Sequence, residues 1–130
     1  MNRLIAFLLL VWIGADARAQ FWPNQNTCYF PDAAAAPAPA WVCQPRAVTS
    51  GLISTTGYSD QFHAGFAFAR QMAVADARIR LAQGLQDQCG RQGTSDAVLR
   101  HSRVLNLQRS PGGGLYARVG IRRADLKNAC

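Results

Sequence analysis

One long stretch of helix-forming residues, residues 60–89, most constrains how this chain can fold. The stretch contains no proline, and alanine, leucine, arginine and glutamine fill most of it. With a rise of about 1.5 Å per residue, a helix of this length is about 45 Å long. Ser59 or Asp60 can cap its start, and Gly90 suits a stop after its last turn. The sequence therefore predicts one long helix on which the rest of a small domain packs.

The apolar residues of this predicted helix lie on two edges. The first edge follows a helical repeat and comprises Phe66, Ala73, Ala77, Leu81 and Leu85. The second edge lies on another side and comprises Phe68, Met72, Ala75, Ile79 and Ala82. An ordinary surface helix has one apolar face, which packs on the core. We expect the first edge to meet a sheet. Either flanking segments cover the second edge, or Phe68, Met72 and Ile79 form a candidate protein interface. Our hypothesis is that the proline-rich segment before the first strand covers part of this edge and that a partner, with a second copy of the chain as one candidate, covers the rest.

Three further segments have the composition of β-strands. Residues 47–56 are rich in valine, isoleucine and threonine, and residues 115–121 alternate cleanly. Residues 97–108 alternate with a slip at Val104 and Leu105, which is typical of a β-bulge. The glycine-rich segment 110–114 predicts a turn between the last two strands, and residues 90–93 predict a loop.

The order of these elements is β-α-β-β. Strands separated by a short turn pair as neighbours, and a helix with one apolar edge packs on the sheet that they form. The fold class that we predict is α+β, with one long helix packed on a small, mainly antiparallel sheet.

Residues 1–19 have the features of a cleavable signal peptide. Arg3 precedes the apolar run 4–15, and Ala17 and Ala19 fit cleavage before Gln20. The run is shorter than the roughly 20 residues that span a bilayer. No cysteine directly follows the cleavage site, as lipidation would require. We therefore predict a periplasmic or secreted protein that is not lipidated and has no transmembrane span after cleavage.

The remainder divides into an arm, residues 20–45, and a single α+β domain, residues 46–130. The arm is rich in proline and contains Pro23, Pro31, Pro37, Pro39 and Pro45. Proline fixes its own φ and pushes the preceding residue towards extended geometry, so we expect extended and turn structure here. Four aromatic residues of the arm, Trp22, Tyr29, Phe30 and Trp41, are candidate packing anchors. We expect them to cover an edge of the core; binding a partner or a glycan is the alternative.

Four cysteines follow the predicted cleavage site: Cys28, Cys43, Cys89 and Cys130. An even number in a small exported domain predicts two disulfides, for which three pairings exist. We favour Cys28–Cys43, which brackets one loop, and Cys89–Cys130, which ties the helix end to the last residue. A zinc site would need ligand spacings such as C-x₂-C, which the chain lacks.

The net charge of +7 comes almost entirely from arginine, since the chain has no glutamate and a single lysine, Lys127. The arginines on or after the last two predicted strands are Arg100, Arg103, Arg109, Arg118, Arg122 and Arg123. Neighbouring strands can gather them into one patch, which predicts a site for an anionic partner. For an exported protein we expect an envelope protein or an anionic envelope surface rather than nucleic acid. A merely solubilising surface is the alternative.

No stretch of the sequence has the pattern of a catalytic, cofactor or metal site. The aspartates are scattered, and the glycines at 112–114 lack the lysine of a phosphate-binding loop. His63 and His101 are the only histidines, and neither belongs to a recognisable triad. We therefore predict no catalytic, cofactor or metal residues. A small exported hydrolase using His63 or His101 is one alternative, and a basic protein-binding inhibitor with an inserting aromatic arm is another.

A longer pattern extends over residues 41–123. Its members are Trp41, Val42, Pro45, Gly51, Gly57, Ala73, Ala77, Arg78, Leu81, Ala82, Leu85 and the strand 115–119. In these residues the chain resembles the LPP-twenty lipoprotein family of bacterial envelope proteins. The resemblance implies a non-enzymatic binding or structural role in the envelope, such as that of an accessory of an outer-membrane or flagellar assembly.

Overall fold

A computed structural model describes residues 27–60, 64–89 and 91–126, without the side chains of residues 87–89, 91 and 92. The predicted signal peptide, Trp22, His63 and the Cys89–Cys130 pair lie outside the described residues or side chains. No helix within the described residues is long and apolar enough to cross a bilayer.

The described chain alternates short strands and helices around one sheet. Its strands are β1 (Tyr29–Phe30), β2 (Ala33–Pro37), β3 (Arg46–Thr49), β4 (Leu52–Ser59), β5 (Arg103–Arg109) and β6 (Leu115–Arg122). Its helices are α1 (Phe66–Cys89), α2 (Arg91–His101) and α3 (Arg123–Leu126), and a 3-10 turn occupies Ala40–Val42. Strands β1 and β2 form a small hairpin, and the others form an antiparallel sheet in the order β3-β4-β6-β5. The predicted α+β class, a helix packed on an antiparallel sheet, is confirmed.

The core lies between α1 and the strands β4 and β6. The helix contributes a buried row with a strict four-residue repeat, comprising Ala69, Ala73, Ala77, Leu81 and Leu85. Small side chains let the helix approach the sheet closely, and Gly57 of β4 has no Cβ where the backbone of α1 crosses it. The Thr55 hydroxyl donates a 2.7 Å hydrogen bond to the Ala77 carbonyl. The predicted first edge is therefore buried except for Phe66, whose place Ala69 takes.

Residues 47–56 are not one strand but the hairpin of β3 and β4. Ser50 and Gly51 form its two-residue turn, with φ values of 50° and 78°. Positive φ at both central positions is the geometry that matches the twist of antiparallel strands. Leu52 and Ile53 are adjacent apolar residues of β4 that lie on opposite faces: Ile53 is buried in the core with α1, and Leu52 lies beside Gly120 on the other face.

The single long helix and the loop after it are also wrong in their bounds. Helix α1 begins at Phe66, and α2 covers residues 91–101, where a loop and the start of a strand were predicted. Thr94, Ala97 and Val98 are buried, at the spacing that one face of a helix requires. Packing of this face overrides the low helix propensity of Gly93. The strand that follows is correspondingly shorter, and its predicted bulge is confirmed between Val104 and Asn106.

The described part of the arm has the predicted extended and turn structure. The Cys28–Cys43 disulfide is confirmed, with Cα atoms 5.8 Å apart. The arm packs on the face of the sheet opposite α1, where Phe30 and Val42 are buried against Tyr116. This is the side of the sheet remote from the second edge of α1, so the described arm does not supply the cover that edge was expected to have.

Candidate anion-binding groove

The sheet face opposite α1, which we call the open face, has two halves. In the arm half, Phe30, Val42 and Trp41 pack over Tyr58 and Tyr116. The other half is a groove of about 970 Å³ that extends from the β3–β4 turn to the end of α2. Its cationic side chains are Arg100, Arg103, Arg118, Arg122 and Arg123, and we call it the arginine groove. It brings together five of the six arginines that the sequence singled out.

Arg109 is the predicted member that lies elsewhere. Its guanidinium carbon is 5.0 Å from the centre of the Phe66 ring, which belongs to α1 on the opposite side of the sheet. The bulge explains this placement, because one extra residue reverses the alternation of β5 between Arg103 and Arg109. Strict alternation from Arg103 would have placed Arg109 on the open face.

Gly120 of β6 lies at the centre of the groove. Arg118 and Arg122 lie two residues before and after it and therefore share its face of the sheet. Arg103 of β5 lies directly opposite Gly120 in the strand register, and Ser54 of β4 lies opposite on the other side. Three guanidinium groups thus arise from adjacent positions around one residue that has no side chain.

The five arginines differ in what holds them. Arg118 is half-buried and its Nε donates to Ser54 Oγ at 3.2 Å, so its side chain leans towards the Gly120 row. Arg100 pairs with Asp96 on α2, with its Nε 3.2 Å from the carboxylate. The side chains of Arg103, Arg122 and Arg123 make no hydrogen bond or ion pair to any described residue. Within the described residues, their charge is therefore not balanced by a direct partner.

Backbone contacts fix the ends of the groove. The Arg123 N–H donates to the Gly51 carbonyl at 2.7 Å, which ties the start of α3 to the β3–β4 turn. At the other end, Ser102 links α2 to β5: its N–H donates to the Val98 carbonyl, and its hydroxyl accepts from Arg78 Nε at 3.2 Å. The arginines are thus carried by four elements whose relative positions are set by the fold.

The floor of the groove is apolar. The Leu52 and Leu105 side chains extend over Gly120 from the two neighbouring strands. A Cβ built on Gly120 would lie 2.7 Å from Leu105 Cδ1 and 3.1 Å from Leu52 Cδ1. A side chain at this position would displace the end of the Leu105 side chain and press on that of Leu52, so glycine lets both leucines lie on the strand. Leu105 is still 37% exposed. We call Leu52, Gly120 and Leu105 the leucine strip.

Among the described lining residues, Asp125 is the only carboxylate facing the five arginines. Arginine side chains in general stay charged at physiological pH, so the repulsion between these like charges persists. Several like charges in one concave site raise the local positive potential and attract anions. The groove can bind and orient an anion, but arginine side chains cannot exchange protons with it.

The arm half contains a polar cluster that sequence reasoning missed. Asp32, in the β1–β2 turn, accepts hydrogen bonds from Ser110 Oγ at 2.6 Å, Tyr116 OH at 3.0 Å and the Gly114 N–H at 3.3 Å. Burial alone raises the pKa of Asp32, but these hydrogen bonds outweigh burial and hold its pKa below the usual value. Burial, together with the bond to Asp32, raises the pKa of Tyr116.

This cluster docks the arm rather than forming a ligand site, because its oxygen and nitrogen atoms are bonded to one another. It ties the arm to the turn between β5 and β6. The available sequence signal was the Pro31-Asp32 pair, which is typical of a turn. That signal says nothing about the residues 78 or more positions away that complete the cluster.

His101 is exposed at the end of α2 and lines the rim of the arginine groove. His63, the other histidine of the hydrolase alternative, lies outside the described residues. Within the described residues, no group of three or more His, Cys, Asp or Glu side chains is placed to hold a metal ion.

The large side chains on the second edge of α1 are exposed. Phe68 and Met72 are each 41% exposed and Ile79 is 57% exposed. Leu99 of α2 lies beside Ile79 along a shallow apolar groove. The described residues do not cover this edge, and its use as a protein interface stays a prediction.

No family model, no curated protein and no solved structure matches this chain. The resemblance to the LPP-twenty family is therefore still an expectation from the sequence, and the arginine groove has to be interpreted from its own chemistry.

Proposed function

We propose that this protein is an exported, non-enzymatic binding protein of the cell envelope that attaches to an anionic partner through the arginine groove. The observation that carries the proposal is the convergence of Arg103, Arg118 and Arg122 around Gly120, on a half of the sheet that no described segment covers. The predicted signal peptide and the confirmed Cys28–Cys43 disulfide favour an oxidising compartment outside the cytoplasm.

The chemistry of the groove favours oxyanions as ligands. A guanidinium group offers several N–H donors in one plane, which match the oxygen atoms of phosphate or carboxylate. Arg103, Arg122 and Arg123 have no described partner to give up, so an anion gains their hydrogen bonds without breaking others. The arginines themselves supply binding rather than proton transfer, because arginine does not act as a general acid or base at physiological pH.

The proposal is tested by sedimentation of the purified protein with lipid vesicles. One set of vesicles contains about one third phosphatidylglycerol in phosphatidylcholine, and the other contains phosphatidylcholine alone. An arginine close to an anionic surface contributes about 1 kcal/mol of binding free energy. The double variant Arg103→Gln with Arg122→Gln should therefore bind the anionic vesicles about 30-fold more weakly than the wild type.

The matched control removes the same charge from α1. Arg70 and Arg80 are exposed on the other side of the molecule, so Arg70→Gln with Arg80→Gln gives an equal net charge without touching the groove. The control should bind the anionic vesicles like the wild type, and both variants should melt at nearly the wild-type temperature. Equal losses in the two double variants would mean that net charge alone drives binding, and the assignment of the groove would be wrong.

A further inference from the structure

We infer that the arginine groove binds a single membrane-derived amphiphile: the phosphate of an anionic lipid head group lies on the arginines, and the adjoining acyl chain lies on the leucine strip. This inference rests on the proposed function and deepens it. An electrostatic surface needs only charge, whereas this groove has an apolar floor between its charges.

The leucine strip is the observation that separates a lipid from a free anion. Leu105 occupies the extra position of the β5 bulge and remains 37% exposed in the middle of the groove. A bulge next to a binding site redirects a side chain, and here it presents an apolar group between Arg103 and the arginines of β6. A site for inorganic phosphate or for a sugar phosphate gains nothing from exposed leucine, whereas a lipid buries it on binding.

The arginines are spaced for one phosphate. Neighbouring strands are about 4.8 Å apart, and successive residues on one face of a strand are about 6.8 Å apart. Arg103, Arg118 and Arg122 thus start within reach of a common anion that lies beside the leucine strip. Arg118 is already oriented by Ser54, which lowers the entropy lost when it binds. The cavity of about 970 Å³ holds a head group together with the first part of the chains.

Other polyanions fit the groove less well. No Phe, Tyr or Trp occurs among its described lining residues and His101 lies at the rim, so the floor offers no aromatic platform on which successive nucleobases could stack. Its floor is the face of a sheet, where the backbone groups of β6 are paired with both neighbours. A peptide that adds to a sheet as an extra strand needs free backbone N–H and C=O groups, which a sheet edge offers. An acidic peptide lying along β6 would find none.

The test uses three soluble probes in calorimetric titrations: dihexanoyl-phosphatidylglycerol below its micelle concentration, glycerol 3-phosphate and dihexanoyl-phosphatidylcholine. The anionic lipid should bind at least about tenfold more tightly than glycerol 3-phosphate, because its chains bury against the leucine strip. Leu105→Asn should remove that advantage and leave glycerol 3-phosphate binding unchanged. The matched control is Leu99→Asn, which alters an exposed leucine of α2 outside the groove and should change neither affinity.

The outcomes separate this inference from the proposed function. Equal affinities for the anionic lipid and glycerol 3-phosphate, both insensitive to Leu105→Asn, would overturn the lipid assignment while the groove remained an anion site. Equal affinity for the zwitterionic lipid would also overturn it. The vesicle experiment tests the proposed function separately. If the arginine variant bound anionic vesicles as tightly as the wild type, the proposed function itself would be wrong.

A second measurement does not depend on any variant. In amide NMR spectra of the wild-type protein, the anionic lipid should shift Gly120, Ser54 and Leu105, and glycerol 3-phosphate should shift Leu105 less. Shifts confined to Ile79 and Leu99 would assign lipid binding to the groove between α1 and α2, and would overturn the proposal for the arginine groove.

Discussion

The two halves of the open face are built on the same strands, yet one is closed and the other is open. On β6, Tyr116 lies under the arm, and the next residues on the same face are Arg118, Gly120 and Arg122. In the arm half Phe30 is buried, whereas Leu105 in the arginine groove is left partly exposed. On this face of β6, the side chain under the arm is aromatic, and the side chains beyond the area that the arm covers are arginines and a glycine.

The difference shows how a small domain can leave a binding surface uncovered. A sheet with a helix on only one face exposes apolar area on the other, and the arm covers one half of it with a second small cluster. The disulfide and the Asp32 cluster hold this cover in place. The uncovered half contributes less to the core, so changes in its side chains have less effect on the stability of the fold. We expect substitutions in the arm half to affect stability and substitutions in the groove to affect binding.

Phe30→Ala tests this division with the largest expected effect. Phe30 is buried against Tyr116, with ring centres 5.7 Å apart. Removing a buried phenylalanine side chain costs about 3–5 kcal/mol of unfolding free energy, which chemical denaturation measures. Phe68→Ala on the exposed edge of α1 is the control and should cost about 1 kcal/mol. A similar loss in both variants would mean that the arm adds no stability beyond that of an ordinary surface contact.

The disulfide should have the next largest effect. Replacing Cys28 and Cys43 together by serine opens a loop of 15 residues, and the chain-entropy estimate for such a loop is about 3 kcal/mol. Binding of anionic vesicles should persist in this variant, because the arginine groove lies outside the arm. Parallel loss of binding and stability would show that the two halves do not act separately.

The same variant also tests the second pairing. If Cys89 and Cys130 are joined as the sequence predicts, a reductant should destabilise the double serine variant further. A reductant that changes nothing would contradict the Cys89–Cys130 bond. Peptide mapping without reduction identifies the linked cysteines directly.

Asp32→Asn should reduce the unfolding free energy by about 2 kcal/mol at neutral pH, because Asp32 accepts charge-assisted hydrogen bonds from Ser110 and Tyr116. Asp96→Asn removes an exposed i,i+4 pair instead and should cost less than about 0.5 kcal/mol. Chemical denaturation of both variants, compared with the wild type, measures the difference. Equal costs would mean that the Asp32 cluster holds the arm no better than a surface ion pair.

The pH dependence of stability has a defined sign. The folded state lowers the pKa of Asp32, so its contribution is present above the pKa of the unfolded chain and disappears as pH falls through the folded value. Wild-type stability should therefore decrease from about pH 5 downwards, and this decrease should be shallower in Asp32→Asn. If stability fell equally steeply with pH in the wild type and in Asp32→Asn, the carboxylate of Asp32 would not contribute to docking of the arm.

Local patterns predicted the parts of the fold that depend on neighbouring residues. Helical spacing indicated α1, the slip at Val104 and Leu105 indicated the bulge, and the glycine-rich segment indicated the β5–β6 turn. The errors arose where distant packing decided. Helix α2 forms although it contains Gly93, because its buried face, including Val98, packs into the core.

The candidate site was predictable in kind but not in arrangement. Charge and position singled out the arginines, and five of them converge. Arg109 lies apart from the other five because the extra residue at Leu105 reverses the alternation of β5, a consequence that the sequence pattern did not display. The leucine strip depends on Leu52, Leu105 and Gly120 meeting across three strands, and no local pattern indicates such a meeting.

The smallest expected effect on stability comes from the second edge of α1, which shows what an uncovered apolar face contributes. Met72 and Ile79 are both exposed, so Met72→Gln with Ile79→Gln places amide groups in water rather than in a core. The melting temperature should fall by only a few degrees, since surface substitutions typically change stability by about 0.5 kcal/mol each.

If this edge binds a second copy, sedimentation should show association of the wild type at high concentration that the double variant loses. Ala75 lies between the two on the same edge, and Ala75→Gln should interfere with such an interface by bulk while leaving both large side chains in place. A strictly monomeric wild type would end the self-association prediction, and a double variant that unfolds would mean that the edge is part of the core.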